Sequence, residues 1–335
     1  MQQYPEADQI KQILDGAVRV VIMQADNPDG DSIGSALALE QILGDMGKEP
    51  LLYCGVDIPS YLTYLPGWDR ISKDLPPKFD AAIIVDTSSE SLFEKLDKTG
   101  QRAWVAAKPV IVLDHHAVGA RIPYAKVSCN KTAVATSEVI YELAQQLDWP
   151  LNLAAKKMIT TAIMADSLGL TTGATTARSI MIVSELVGGG VKIAELEQAR
   201  REMMRKKPEL IKYKGELLQR IEYFAGNRIA TVTIPWAEIE KYSPDYNPSM
   251  LVIDDMRLAT DTQVAISFKL YNDGHVTAKI RCNYGFPVAN QLAAHFGGGG
   301  HAYASGFKTT GGQPFNEIKS GCITFATQLL DNLAN

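Results

Sequence analysis

The recurrence of short apolar runs, each followed by a stretch of helical spacing, most constrains the fold of this chain. Val18–Met23 (VRVVIM) is rich in β-branched residues and reads as a strand buried on both faces. A turn at Asn27–Asp31 follows, then a helical stretch over Ser35–Met46 that ends near Gly47. Leu51–Cys54, Ala81–Val85 (AAIIV) and Val110–Leu113 (VIVL) read as further strands, with a helix-compatible segment around Ser91–Leu96. Thr136–Leu147 and Ala154–Ala165 have helical spacing. Strand–helix alternation of this kind predicts a parallel sheet with helices on its faces.

Beyond about residue 190 the pattern changes. Val187–Gly190 (VGGG) is a break, and Glu195–Phe224 is a long helical segment interrupted at Pro208. Strands are expected at Ile229–Ile234, Gln263–Leu270 and Val276–Arg281, then a Gly-rich turn and a helix over Phe315–Leu333. The 335 residues accommodate two domains. The expected fold is α/β. A doubly wound, mostly parallel sheet occupies residues 1–190, and a helical linker covers 191–215. A smaller mixed-sheet α/β domain covers 216–335. The segment from Arg200 to Arg220 holds eight basic and three acidic residues, which reads as the solvated face of a linker helix.

Lys+Arg 33 against Asp+Glu 38 gives a formal charge of −5. That balance argues against a protein that coats long nucleic acid, because such binding neutralises many phosphates. A short phosphorylated substrate held at one local site is compatible with it. Cys54, Cys129, Cys282 and Cys322 form no CxxC pair, so neither a zinc site nor a disulfide framework is expected. The segment Met1 to Gly16 is polar and acidic, and no run reaches about 18 apolar residues. A cytoplasmic protein with no membrane partner is expected.

Acidic residues gather where the apolar runs end. Asp29 and Asp31 sit in the turn after the first strand, and Asp86 follows the run at Ala81–Val85. Asp114, His115 and His116 follow Val110–Leu113, and Asp166 follows Ala165. Open α/β sheets bind ligands outside the carboxyl ends of their strands. Carboxylates crowded there raise one another's pKa, and a divalent cation removes that penalty. Mixed carboxylate and imidazole donors suit manganese, or magnesium with some histidine, better than a thiolate-seeking metal. Two such ions about 3.5–4 Å apart can activate a water and neutralise a phosphoryl group.

A second cluster lies near the C-terminus. Gly297–Gly300 precede His301, and the small residues Ala302–Gly306 (AYASG) read as the beginning of a helix. Successive glycines let backbone N–H groups approach an anion, and Arg281, at the end of a strand, can pair with phosphate through two bonds.

Together these motifs resemble the DHH phosphoesterases that carry a DHH-associated C-terminal domain. They are most similar to the NrnA-like oligoribonucleases that also act on pAp, 3′-phosphoadenosine 5′-phosphate. The resemblance covers nearly the whole chain. It rests on NPDGDSIGSALAL (Asn27–Leu39), VDTSS (Val85–Ser89), LDHH (Leu113–His116), ADSLG (Ala165–Gly169) and GGGGHAYASG (Gly297–Gly306). It implies that Asp29 and Asp31 are metal ligands and that Asp86 bridges two manganese ions. It implies that His115 and Asp166 complete the second site with Asp31. His116 would contact the scissile phosphate, and Asp114 would orient the histidines. In the second domain, Gly298, Gly299, Gly300 and His301 resemble the substrate-binding loop. Arg281-Cys282 stands where the family usually has Arg-Ser.

Two positions depart from the family pattern. The usual histidine four residues before the first aspartate is Ala25, flanked by Gln24 and Asp26. RecJ-like relatives also lack it, and Asp26, Asn27 or water are the candidate substitutes. The aromatic-Arg pair common after the fourth motif is Leu170-Thr171. The resemblance implies hydrolysis of short RNA to mononucleotides or of pAp to AMP, with the second domain closing over the nucleotide. It also implies a short nucleotide as partner and a homodimer as one expected state. Alternatives are a linear or cyclic dinucleotide phosphodiesterase, a RecJ-like single-strand exonuclease, and a nucleotide sensor with a degraded metal site. A family II inorganic pyrophosphatase shares part of the metal pattern but lacks the glycine-histidine loop.

Overall fold

The computed structural model describes residues 3–116, 122–310 and 312–334. The chain divides into two compact units, Met1–Arg205 and Lys206–Asn335.

The first unit runs α1 (Ala7–Asp15), β1 (Arg19–Gln24), α2 (Gly30–Asp45), β2 (Glu49–Cys54), β3 (Ala81–Val85), α3 (Glu94–Lys98), α4 (Arg102–Ala106), β4 (Val110–Asp114), β5 (Val127–Asn130), α5 (Thr136–Gln146), α6 (Leu153–Asp166), α7 (Ala177–Gly188) and α8 (Ile193–Met203). Its strands form one parallel sheet in the order β2-β1-β3-β4-β5. Alternate residues of each strand enter opposite cores. Val20, Ile22, Ile83, Val85 and Ile111 pack with α1, α2, α5 and α6, whereas Val21, Met23, Ala82, Ile84 and Val112 pack with Phe93, Leu96 and Val105. Burial on both faces explains why these strands carry apolar residues without alternation, each worth about 1.5–3 kcal/mol.

Helix α2 begins five residues before the expected Ser35. Asp29 accepts the N–H groups of Asp31 and Ser32, and Ser32 Oγ accepts the Asp29 N–H, a reciprocal cap that fixes the start at Gly30. A Cβ on Gly34 would lie 2.8 Å from Ala162 Cβ, and one on Gly30 would lie 2.7 Å from Ala165 Cβ. Both glycines therefore let α2 approach α6 closely, which carries Asp31 toward Asp166.

The second unit runs α9 (Pro208–Gln219), β6 (Glu222–Phe224), β7 (Ile229–Ile234), α10 (Trp236–Tyr242), α11 (Pro248–Arg257), β8 (Val264–Leu270), β9 (Val276–Cys282), α12 (Ala289–His295), β10 (Gly299–His301), β11 (Ala304–Lys308) and α13 (Phe315–Ala334). Its mixed sheet has the order β10-β11-β9-β8-β7-β6, with β7 and β8 parallel and the other pairs antiparallel. The segment Ala302–Gly306, expected to begin a helix, instead turns a hairpin: His301 pairs with Ala304 and Gly299 with Gly306. Small residues suit this tight pairing, because a Cβ on Gly300, which has φ +136°, would meet the Ala304 carbonyl at 2.7 Å.

Candidate metal and active site

In the order β2-β1-β3-β4-β5, β2 lies on one side of β1 and β3 on the other, so the chain changes direction between β1 and β3. The carboxyl ends of strands at such a point form the usual ligand crevice of an open sheet. Asp29 and Asp31 stand there at the start of α2, and Asp86 follows β3 directly. Asp86 has φ +61°, a left-handed conformation that costs a non-glycine residue about 1–3 kcal/mol. Asp114 is the last residue of β4, with His115 and His116 immediately after it. Asp166 is the last residue of α6.

His115 is central. Its Nδ1 lies 3.1 Å from the Ala133 carbonyl, so Nδ1–H donates there and Nε2 is left with a lone pair. That Nε2 is buried and has no hydrogen-bond partner. It lies 3.4 Å from Asp166 Oδ2, 3.5 Å from Asp86 Oδ1 and 3.9 Å from Asp31 Oδ2. Asp31 is fully buried and accepts the N–H groups of Thr136 at 2.6 Å and Ser137 at 3.2 Å, with Ser35 Oγ at 3.1 Å. Thr136 and Ser137 open α5, where free N–H groups and the helix dipole favour an anion. Thr136 Oγ1 also donates to Asp86 at 3.1 Å.

Burial, then the Asp31 and Asp29 charges, hold the Asp86 carboxyl well above the usual range. The same causes, in the same order, push Asp166 up to about 7. A buried lone-pair nitrogen facing three crowded carboxylates is a donor set suited to a divalent cation. Donor atoms of Asp31, His115 and Asp166 lie within 4.8 Å of one another, as do those of Asp86, His115 and His116. The residues fit divalent metal.

Asp114 organises the histidines. Its Oδ1 accepts His116 Nδ1 at 2.7 Å and the His115 N–H at 3.0 Å. Its Oδ2 accepts Ser88 Oγ at 2.5 Å and Asn130 Nδ2 at 3.1 Å. Burial opposes ionisation of Asp114, yet the bonds from His116 and Ser88 outweigh it and keep the carboxyl below its ordinary value. The bond to Asp114 in turn raises His116, against partial burial. Ser88, Asn130, Thr136 and Ser137 belong to this constellation, although sequence reasoning did not single them out. Serine, threonine and asparagine serve caps and turns throughout proteins, so only their buried acidic partners distinguish them here.

A cavity of about 330 Å³ opens on the site, lined by Ala25, Asn27, Asp29, Asp86, Ser88 and His116 among others. Asp29 uses Oδ1 for the α2 cap while its side chain borders the cavity. Of the candidate substitutes for the missing histidine, Asn27 lines the cavity. Asp26 is engaged elsewhere, accepting the Lys95 N–H at 2.8 Å. The run Thr171–Thr176 forms the turn into α7, which Thr176 and Ser179 cap reciprocally.

In the second unit, Arg281 pairs with Ala304 across β9 and β11, and Ala304 pairs with His301 across β11 and β10. Directly opposed residues share a face, so Arg281 and His301 stand on the same side of this sheet end. Gly298 passes so close to β11 that a Cβ would meet the Gly306 carbonyl at 2.2 Å, whereas Gly299 has open space beside it. Among the described residues no helix is long and apolar enough to cross a membrane.

Comparison with known proteins agrees with this geometry. Residues 19–171 match the model of the DHH family, N-terminal domain. The chain is 28% identical over 286 residues to the bifunctional oligoribonuclease and PAP phosphatase NrnA of Thermus thermophilus, covering 84% of this chain and 81% of that protein. It is 25% identical over 294 residues to the Bacillus subtilis protein of the same name, covering 86% and 88%. An exopolyphosphatase-related protein from Bacteroides fragilis shares the fold, with a TM-score of 0.82, 20% identity and 97% of each chain covered. Residues 19–171 thus match the DHH-family N-terminal domain with this clustered acid–imidazole site, and the chain is similar to the NrnA proteins over more than four-fifths of its length.

Proposed function

We propose that this protein hydrolyses short oligoribonucleotides to mononucleotides, pAp to AMP, or both, with manganese as the metal. The observation that carries this reading is His115 Nε2, buried, unpartnered and within 4 Å of Asp31, Asp86 and Asp166. The oligoribonuclease and PAP phosphatase activities of the related NrnA proteins support the substrate class. Asp31, Asp86, His115 and Asp166 would hold the metal, with Asp29 and His116 at its margin. Divalent cations bound there supply Lewis-acid polarisation of the phosphoryl oxygens and a water acidic enough to act near neutral pH.

The chain's own residues do the rest. The three carboxylates and His115 orient the reacting groups without further rearrangement, because α5 and Ala133 already fix Asp31 and His115. His116, with Nδ1 bonded to Asp114, presents Nε2 as the free nitrogen. Its raised pKa keeps that nitrogen protonated closer to neutrality, where it donates a proton to the leaving ribose oxygen as the phosphorus–oxygen bond breaks. The water gives up one proton to solvent and its oxygen forms the new bond to phosphorus. In the second unit, Arg281, Gly298, Gly299, Gly300 and His301 are the proposed nucleotide contacts.

The test is turnover of a labelled RNA dinucleotide, a five-residue RNA and pAp, each with Mn²⁺, Mg²⁺ or EDTA. Mononucleotide release that needs metal and disappears in Asp86→Ala is expected. No release from any of the three with metal present would overturn the reading in favour of a nucleotide-binding sensor.

A further inference from the structure

A row of basic residues crosses the sheet of the second unit. In β9, Val276, Ala278, Ile280 and Cys282 are buried, while Thr277, Lys279 and Arg281 alternate with them on the other face. The register places Ala265 opposite Arg281, Ser267 opposite Lys279 and Lys269 opposite Thr277. Lys269 and Lys279 are therefore diagonal neighbours on the face that carries Arg281. Two residues along a strand span about 6.7 Å, so Lys279 and Arg281 are spaced much like successive phosphates of an extended strand.

These cations are partly buried and uncompensated. Lys269 is 9% exposed and Lys279 is half-buried. Among the described residues no carboxylate lies within ion-pair distance of Lys269, Lys279 or Arg281. Among the described residues the Arg281 side chain bonds only the Ile280 carbonyl, at 2.9 Å. Burial, then Lys279, lowers the pKa of Lys269, and burial, then Arg281, lowers that of Lys279. Neighbouring cations that repel one another, Lys269 buried and Lys279 and Arg281 half-buried, are stabilised by a polyanion.

Two aromatic rings flank the row's end. Tyr284, three residues beyond Arg281, is 93% exposed, and its ring is nearly parallel to that of Tyr303, at 9° with centroids 6.3 Å apart. Exposed aromatic faces beside a basic track are what single-stranded nucleic acid uses, bases on the rings and phosphates on the cations.

We propose that Lys269, Lys279 and Arg281 form a phosphate track that holds a single-stranded oligonucleotide several residues long. This inference rests on the nucleotide reading above and deepens it, favouring an oligonucleotide over pAp. Its test is fluorescence anisotropy of a labelled five-residue RNA in EDTA, which prevents metal-dependent turnover, at several salt concentrations. Three phosphate contacts give a slope of log affinity against log salt of about −2, falling to about −0.7 when two are lost. The Lys269→Gln/Lys279→Gln variant is expected to bind at least tenfold more weakly with the shallower slope. The Lys269→Arg/Lys279→Arg variant, which keeps the charges, should retain the steep slope. If the wild type binds and both variants match it, the track is wrong while the nucleotide reading stands. Failure of the wild type to bind any oligonucleotide would remove both. Displacement by inorganic polyphosphate as effective as by unlabelled RNA of equal charge would also overturn the oligonucleotide assignment.

Discussion

His116 Nδ1 lies 2.7 Å from Asp114 Oδ1, and that carboxylate, fully buried at the end of β4, is also bonded to Ser88 and Asn130. The pair ties a largely exposed imidazole to a rigid strand end. Its direction follows from the register: β4 ends beside β3, so the histidine stands over Asp86, with Nδ1 4.0 Å from Asp86 Oδ1.

Asp114→Asn keeps the size of the side chain and removes its charge. One amide face must then meet either the His116 donor or the Ser88 and Asn130 donors. The bond that raises His116 is weakened, so its pKa falls. Turnover is expected to drop about 10²-fold or more, the range general acids supply. The alkaline limb of the pH–rate profile should move to lower pH, because protonated His116 is lost sooner. An unmoved limb with reduced turnover would assign Asp114 a purely structural role.

The crowded carboxylates predict a pH dependence of the metal-free protein. Asp166 titrates near 4 when unfolded and is pushed up to about 7 when folded, with Asp86 raised as well. The folded state then holds protons more tightly. Stability is greatest below the unfolded value and declines as pH rises toward 7. Melting temperature without metal should therefore fall between pH 5 and 8, and the increase produced by Mn²⁺ should grow over the same interval. Scanning fluorimetry with and without EDTA checks both. A melting temperature in EDTA that rises across this range would contradict the crowding.

The α2–α6 contact gives a third test. Alanine is worth about 0.5–1 kcal/mol more than glycine inside a helix. At Gly34 the added Cβ would lie 2.8 Å from Ala162 Cβ and 3.1 Å from the Met158 carbonyl. Overpacking of this kind costs about 1–3 kcal/mol and outweighs the helix gain. Gly34→Ala is expected to lower the urea midpoint, whereas Gly44→Ala, with open space around it, should not. Equal effects at both positions would show that α2 and α6 separate easily.

The sheet of the first unit was legible because its strands are buried on both faces. Runs such as AAIIV leave little alternative, and an aspartate directly after such a run lands at the strand's carboxyl end. Asp86, Asp114 and His115 are thus grouped by sequence alone, whereas Asp166 ends helix α6 and joins them through the close α2–α6 approach. The short β5 (VSCN) carries only two buried residues, Val127 and Cys129, and gives no comparable signal. The hairpin at Ala302–Gly306 is not legible in the sequence, because small residues suit a helix start as well as a close strand pair. What separates the two is the approach of Gly298 and Gly300 to β11, a tertiary contact. Asp26 illustrates the same limit: it is adjacent in sequence, but its Oδ2 accepts the Lys95 N–H and it does not line the cavity that Asn27 lines.

Ala25 borders the acidic cluster where one further metal donor can be added. Its side chain is 6% exposed and borders the same cavity as Asp29, Asn27 and Asp86. That cavity has a volume of about 330 Å³. An added neutral nitrogen donor favours metal without adding to the carboxylate repulsion. Ala25→His is expected to tighten Mn²⁺ binding roughly tenfold, about 1.4 kcal/mol, in calorimetric titration. Because the new ligand must lose its proton to bind, the gain should shrink as pH falls below the ordinary histidine value of about 6.5. A variant that folds, melts like the wild type and binds Mn²⁺ no more tightly would show that Asn27 and solvent already satisfy this position.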